Sequence, residues 1–309
     1  MELFHPKKIN FNFTKIFNKM LVVSAILVVV SLVLFAVKGL NLGIDFKGGV
    51  QSQVSFTDTS LTDGTLRSLF GDKLVGLTIQ QTTASDSSKK GFLISSQADK
   101  NESSKIINST LTSTYGAAGG KWTLDKVDFV GPKIGSSLKR GAFWSLFFIC
   151  IFITIYIYWR FDLRFAPGAI ACIFHDLIIT TGILALLGIE FTTTIVAALL
   201  TLAGYSINDT VVVFDRVRES EEKLLGKTKE FIVDNAINAC LSRTIVTSFT
   251  TLISCAVLFF IGGPAIQPFA GTLFVGICIG TYSSIFLACP LFLKANDKLA
   301  PKLLREQNA

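Results

Sequence analysis

The chain has 309 residues and a formal charge of +7, yet only 17% of it is charged, half is hydrophobic and the mean hydropathy is +0.55. That composition excludes an ordinary soluble protein. Lys and Arg spread along the chain argue against a nucleic-acid binder, and six cysteines without a CxxC pair argue against a metal cluster or disulfide framework.

In chain order, Lys7, Lys8, Lys15 and Lys19 precede a first apolar run, Met20 to Val37. This run is longer than the apolar core of a signal peptide, and Phe35, Ala36, Val37 and Lys38 offer no small-residue cleavage site. It is therefore expected to stay as a transmembrane helix over residues 20–38, after a cytoplasmic N-terminus of residues 1–19. GIDFKGG follows, with Gly43, Gly48 and Gly49 flanking Asp45 and Lys47, a spacing suited to a tight turn or hinge.

Residues 39–140 are polar and read as a small α/β domain. Alternation predicts a strand over Val50 to Phe56, then a short helix opened by Ser60 with Asp63 three residues on. A strand over Leu77 to Thr82, a turn over Ser85 to Lys90 and a strand over Phe92 to Ser95 make a hairpin. A mostly polar helix from Asp99 to Tyr115 buries Ile106, Ile107 and Leu111, Gly119 and Gly120 break it, and Trp122 to Val130 is the last strand. The order β-α-β-β-α-β is the ferredoxin-like arrangement. So small a domain has a modest core and is expected to lean on a partner or the membrane.

Five further runs approach the ~20 residues that a bilayer requires: Ala142 to Trp159, Pro167 to Leu187, Thr192 to Phe214, Ile245 to Ile261 and Pro268 to Leu293, all within residues 141–293. Arg160, Arg164, the basic residues from Arg216 to Lys229, and Lys294, Lys298, Lys302 and Arg305 fall on the side of the N-terminus. The opposite loops, Gly188 to Phe191 and Gly262 to Gln267, hold no Lys or Arg. By the positive-inside rule both termini, including the tail 294–309, and the loop 215–240 are expected to be cytoplasmic, and the α/β domain outside. Asp215 to Lys229 reads as a charged surface helix with a Glu219–Lys223 pair.

Ionisable groups inside spans are costly and mark function. Asp209 lies seven residues before Arg216, about 10 Å into the fourth run at 1.5 Å per residue. Burial and a nearby cation act on such a carboxylate in opposite senses, so its surroundings can switch its proton. Arg243, entering from the same side on the fifth run, is the expected cation. Thr247, Thr250 or Thr251, and Ser254 continue from it as a polar stripe able to hold water. With Asn208 beside Asp209, and His175, Asp176 and Thr180 on the third run, these residues form an expected proton relay. The competing reading is that they tie helices together by hydrogen bonds, which is preferred for the stripe and leaves His175 and Asp176 open. Gly204, Gly271, Gly276 and Gly280 read as sites of close helix approach. There is no P-loop or nucleotide fingerprint, and His5 and His175 alone make no zinc set, so ATP hydrolysis and metal chemistry are not expected.

GIDFKGG at 43–49 and LAGYSINDTVVVFDRVRE at 202–219 together resemble the signature segments of the SecD and SecF family. The short external region and the GYSINDTVVVFDR wording put the resemblance on the SecF side of that family, and at this length a fused polypeptide is not expected. The resemblance implies a polytopic α-helical membrane protein whose six transmembrane helices are half of an RND-type transporter, carrying a ferredoxin-like periplasmic domain between helices 1 and 2. It implies a multi-pass protein of the bacterial inner membrane, with proton-dependent roles for Asp209 and Arg243 and use of the proton motive force in late preprotein translocation. Implied partners are SecD, the SecYEG channel, SecA, YajC and YidC, unfolded preprotein and lipid, with no nucleic acid and no cofactor. An RND-like small-molecule or lipid exporter half and a non-transporting assembly factor are the alternatives.

Overall fold

The computed structural model describes residues 11–84, 88–97, 100–263 and 265–307. Six of its helices are long and apolar enough to cross a membrane. The expectations for Lys7, Lys8, Ser85, Asp99 and Pro264 lie outside the described residues.

A 3-10 turn, Thr14–Ile16, leads into α1, Phe17–Val37. After the interposed domain come α5 Pro132–Arg160, α6 Ala166–Leu187, α7 Thr193–Lys223, α8 Lys229–Ile261, α9 Gln267–Phe286 and α10 Ala288–Gln307. Pro132, Pro167 and Pro268 open their helices where a missing N–H costs nothing. Gly188, at φ +70°, closes α6: it and Ile189 donate to the carbonyls of Ala185 and Leu184. The sixth apolar run is divided at Leu287 into α9 and α10.

The helices outrun the apolar runs that announce them. DRVRESEEK is the last part of α7 itself, and only residues 224–228 separate α7 from α8, so most of the expected loop 215–240 is helical. Ion pairs make this charged extension tolerable: Arg160 to Asp215 at 3.2 Å, and Arg164 and Lys229 to Glu221 at 3.6 and 2.5 Å. At the same end the chain before α1 is tied to α8, where Asp234 accepts from Thr14 N and Oγ1 at 3.0 and 2.8 Å.

α6, α7 and α9 form the interior of the bundle, while α1, α5 and α8 are mostly exposed. Away from the interposed domain the core holds Phe165, Phe214 and Phe292, with Phe165 and Phe292 stacked at 4.4 Å. Toward the domain it is built from Leu184, Ile195, Leu199, Leu202 and Ile277. Small residues set the spacing. A Cβ on Gly276 would meet Leu202 at 2.4 Å, and one on Gly182 would meet Ser31 at 2.4 Å.

The interposed domain has β1 Gly49–Phe56, α3 Asp63–Phe70, β2 Thr78–Thr83, β3 Lys90–Ser96, α4 Lys100–Tyr115 and β4 Trp122–Val130. The sheet order β2-β3-β1-β4, every pair antiparallel, is that of the ferredoxin-like fold. Val54, Phe56, Leu66, Phe92, Ile94, Ile107, Leu111 and Trp122 fill its core. The helix after β1 is capped by Thr62, whose hydroxyl accepts from Thr65 N, and not by Ser60. Asp58 accepts from the backbone and hydroxyl of Ser60, so that serine is held in a local turn two residues too early to cap. A short helix, α2, Ile44–Lys47, joins α1 to this domain.

Candidate functional site

Two carboxylates lie in the interior of the bundle, Asp176 on α6 at 1% exposure and Asp209 on α7 at 3%. Asp176 is enclosed by donors from three helices. Its Oδ1 lies 2.8 Å from His175 Nδ1, and its Oδ2 accepts from Ser206 of α7 at 2.5 Å and Ser283 of α9 at 2.8 Å. Gly280 borders the cluster: a Cβ there would make ordinary contact with Asp176 Oδ2 at 3.4 Å. His175 stacks on Tyr282, whose hydroxyl reaches Ser24 and Met20 O of α1 at 3.1 and 2.9 Å. The cluster therefore joins four helices through polar contacts that lipid cannot replace.

Asp209 is held differently. Among the described residues its hydrogen-bond partner is Ser248 of α8, at 3.3 Å. Ser248 in turn accepts from Thr281 of α9 at 2.8 Å. The expected ion pair with Arg243 is not made among the described residues: Arg243 is exposed and close enough to act on the carboxylate only through space. Helix phase is the reason. Ser248 follows Arg243 by five positions, which turns it about 140° around α8, so both cannot point at Asp209.

The same phase removes the expected water-bearing stripe from the interior. Thr247, Thr250 and Ser254 are exposed and Thr251 is half-buried. Each hydroxyl donates to a carbonyl one turn back, at 2.9, 3.0, 3.1 and 2.9 Å respectively. Such back-bonding satisfies a hydroxyl within its own helix. The inward polar residues of α8 are instead Thr244 and Ser248, one turn apart. Thr244 Oγ1, Thr180 Oγ1 and His175 Nε2 are buried without a partner among the described residues.

Sequence reasoning missed Ser206, Ser248, Thr281 and Ser283. The available signal was the spacing of Cys240, Thr244 and Ser248 at every fourth position, a second phase that competes with the one beginning at Arg243. Asn208 points outward beside Gly204, over which a Cβ would meet nothing within 4 Å. Gly204 and Asn208 on α7, with Arg243, Thr247, Thr250 and Ser254 on α8, thus form an uncovered polar and small-residue face on two membrane-length helices.

GIDFKGG lies where α1, the interposed domain and α7 converge. Oδ2 of Asp45 accepts from Thr193 N and Oγ1 at 2.8 and 2.6 Å. Gly43 N donates to Phe191 O at 2.8 Å, and Phe191 N to Asn41 O at 2.7 Å. Gly49, at φ +131°, leaves no space for a side chain, because a Cβ would lie 2.2 Å from Ser96 O. Gly48, at φ +75°, passes close to Pro132 at the head of α5. Glu190, 7% exposed, accepts from Gln51 of β1 at 3.3 Å. Burial pushes its carboxyl above the usual 4.5 and Asp45 adds to this, against the Ile44 N–H, Lys47 and Gln51.

A bundle of six membrane-length helices with buried carboxylates on its central helices and a ferredoxin-like domain inserted after the first helix defines a polytopic α-helical membrane protein. Residues 110–298 match the model described as protein export membrane protein SecD/SecF, C-terminal, and residues 33–60 match the SecD/SecF GG motif. The protein translocase subunit SecF of Desulfurispirillum indicum is 39% identical over 280 residues, covering 88% of this chain and 87% of its own. That of Rhodothermus marinus is 37% identical over 299 residues, covering 95% and 96%. The chain belongs to the SecD/SecF family. The crystal structure of SecDF from Thermus thermophilus, a translocon-associated membrane protein, superposes with a TM-score of 0.83 at 32% identity over 94% of this chain. SecDF in its super-membrane-facing form gives 0.69 over 98%. The chain spans about two-fifths of these SecDF polypeptides, 39% and 40%.

Proposed function

We propose that this chain is the SecF-type subunit of the bacterial protein export machinery, placed in the inner membrane with its termini cytoplasmic and its α/β domain periplasmic. It works beside a separate SecD-type chain at the SecYEG channel and uses the proton motive force in the late, SecA-initiated passage of unfolded preprotein. The observation that carries this reading is Asp209, a membrane-buried carboxylate held by one long hydrogen bond beside an uncovered polar face. Protonating it disturbs little, whereas protonating Asp176 displaces one of the donors that surround it. Ser248, Thr281 and Thr244 supply the hydroxyls nearest to a proton path, and a SecD-type half covers Gly204 and Asn208 and gives Arg243 its partner. One charge crossing 100 mV releases about 2.3 kcal/mol, enough to bias two closely matched conformations.

The test is gradient-dependent translocation of a secretory protein into inverted vesicles, comparing wild type with Asp209→Asn at equal complex abundance. Loss of the gradient's benefit with assembly intact supports the reading. An unchanged response overturns it and leaves the chain as an assembly subunit.

A further inference from the structure

α7 starts without a cap of its own. Its N-cap residue Thr192 makes no side-chain cap hydrogen bond, and the carboxylate that closes the helix is that of Asp45, 148 residues earlier. The first N–H groups of a helix are unpaired donors at its positive end, so a carboxylate placed there makes charge-assisted hydrogen bonds. Asp45 has little freedom of its own. It belongs to α2, which is tied to the α6–α7 connection through Gly43 and Phe191, and Gly48 and Gly49 lead directly from it into β1. A second tie runs in parallel, from Gln51 of β1 to Glu190. The root of the interposed domain is thus joined to the end of α7 by side chains as well as by backbone.

Midway along this same helix lies Asp209. From Thr193 to Asp209 α7 is one unbroken helix, and the rise from one to the other is about 24 Å at 1.5 Å per residue. Building on the proton role assigned to Asp209, we infer that Asp45 is a positioning residue: it fixes α7 to the interposed domain, so that displacement of α7 reaches the domain through a rigid strut. Asp45 touches neither the proton nor the cargo. It decides whether motion in the membrane arrives outside it.

The experiment uses the full chain with its SecD-type partner and the channel in vesicles, comparing Asp45→Ala, Asp45→Asn, Thr193→Val and the double variant at equal complex abundance. Spin labels at Lys126 on β4 and Leu225 beyond α7 report domain displacement with and without the gradient. Asp45→Ala is expected to lose gradient stimulation and the gradient-dependent distance change, while Asp45→Asn, which keeps an acceptor oxygen, retains both. Thr193→Val is expected to lose part of the response and to add no further loss to Asp45→Ala. Stimulation and distance change that persist in Asp45→Ala overturn the inference. Should Asp45→Ala fail to assemble, a wild-type distance change in Thr193→Val overturns it instead. Asp209→Asn is run alongside: if it abolishes stimulation and Asp45→Ala does not, only the strut fails, whereas an unaffected Asp209→Asn removes the proton reading beneath it.

Discussion

Asp176 and Asp209 occupy neighbouring helices in one apolar bundle and are equally hidden, yet their surroundings differ. Asp176 meets a histidine and two serines within 2.8 Å, while Asp209 meets one serine at 3.3 Å. A buried carboxylate with its acceptor sites filled acts as a structural node, since any change of state leaves buried donors unpaired. A sparsely bonded one is free to exchange partners. The difference separates two roles that residue type and depth alone assign equally to both.

The comparison can be broken by removing each carboxylate in turn. Asp176→Ala is expected to give the largest loss, about 3–5 kcal/mol, because it leaves the groups of His175, Ser206 and Ser283 that meet it without their partner in the bundle interior. It should appear as poor accumulation and a lowered thermal midpoint in detergent. Asp209→Ala should cost about 1 kcal/mol or less while removing gradient stimulation. Equal losses of stability in the two variants would erase the distinction.

Serine substitutions sharpen it. Ser283→Ala removes a 2.8 Å hydrogen bond to a carboxylate and is expected to cost about 1.5–3 kcal/mol, more than Ser248→Ala, whose contact with Asp209 is longer. The smallest effect belongs to Glu190, outside the spans. Its folded carboxyl binds a proton more tightly than the unfolded one, so its contribution to stability is greatest below pH 4.5 and declines as the pH rises through the raised value. Subtracting the Glu190→Gln midpoint from that of wild type at each pH should give a difference that falls with rising pH. A flat or rising difference would contradict the burial of that carboxyl.

Much of the fold was legible in residues alone. The strand Trp122–Val130 appears with its predicted ends, and the six apolar runs lie within membrane-length helices, except that the fourth begins one residue early, at the N-cap Thr192. Helix ends were harder to read: DRVRESEEK looks like a separate surface helix, but ion pairs to Arg160, Arg164 and Lys229 allow α7 to continue through it. Of the site, Asp209 and Asp176 were visible as charges in apolar sequence. Their hydroxyl partners were not, because serine and threonine inside a membrane helix are compatible with several faces.

Sequence by itself determined that six segments span the membrane, that the domain between the first two is ferredoxin-like, and that two carboxylates lie within the bundle. Length, hydropathy and strand alternation leave few other ways to pair the backbone and hide apolar surface. Tertiary structure alone decided the rotation of α8, which turns Ser248 and not Arg243 toward Asp209, and the meeting of Asp45 with Thr193. The physical reason is that turning a helix about its axis leaves its internal hydrogen bonds unchanged, so packing against neighbours selects the face. Likewise, a contact across 148 residues exists only once the bundle has brought both ends to one place.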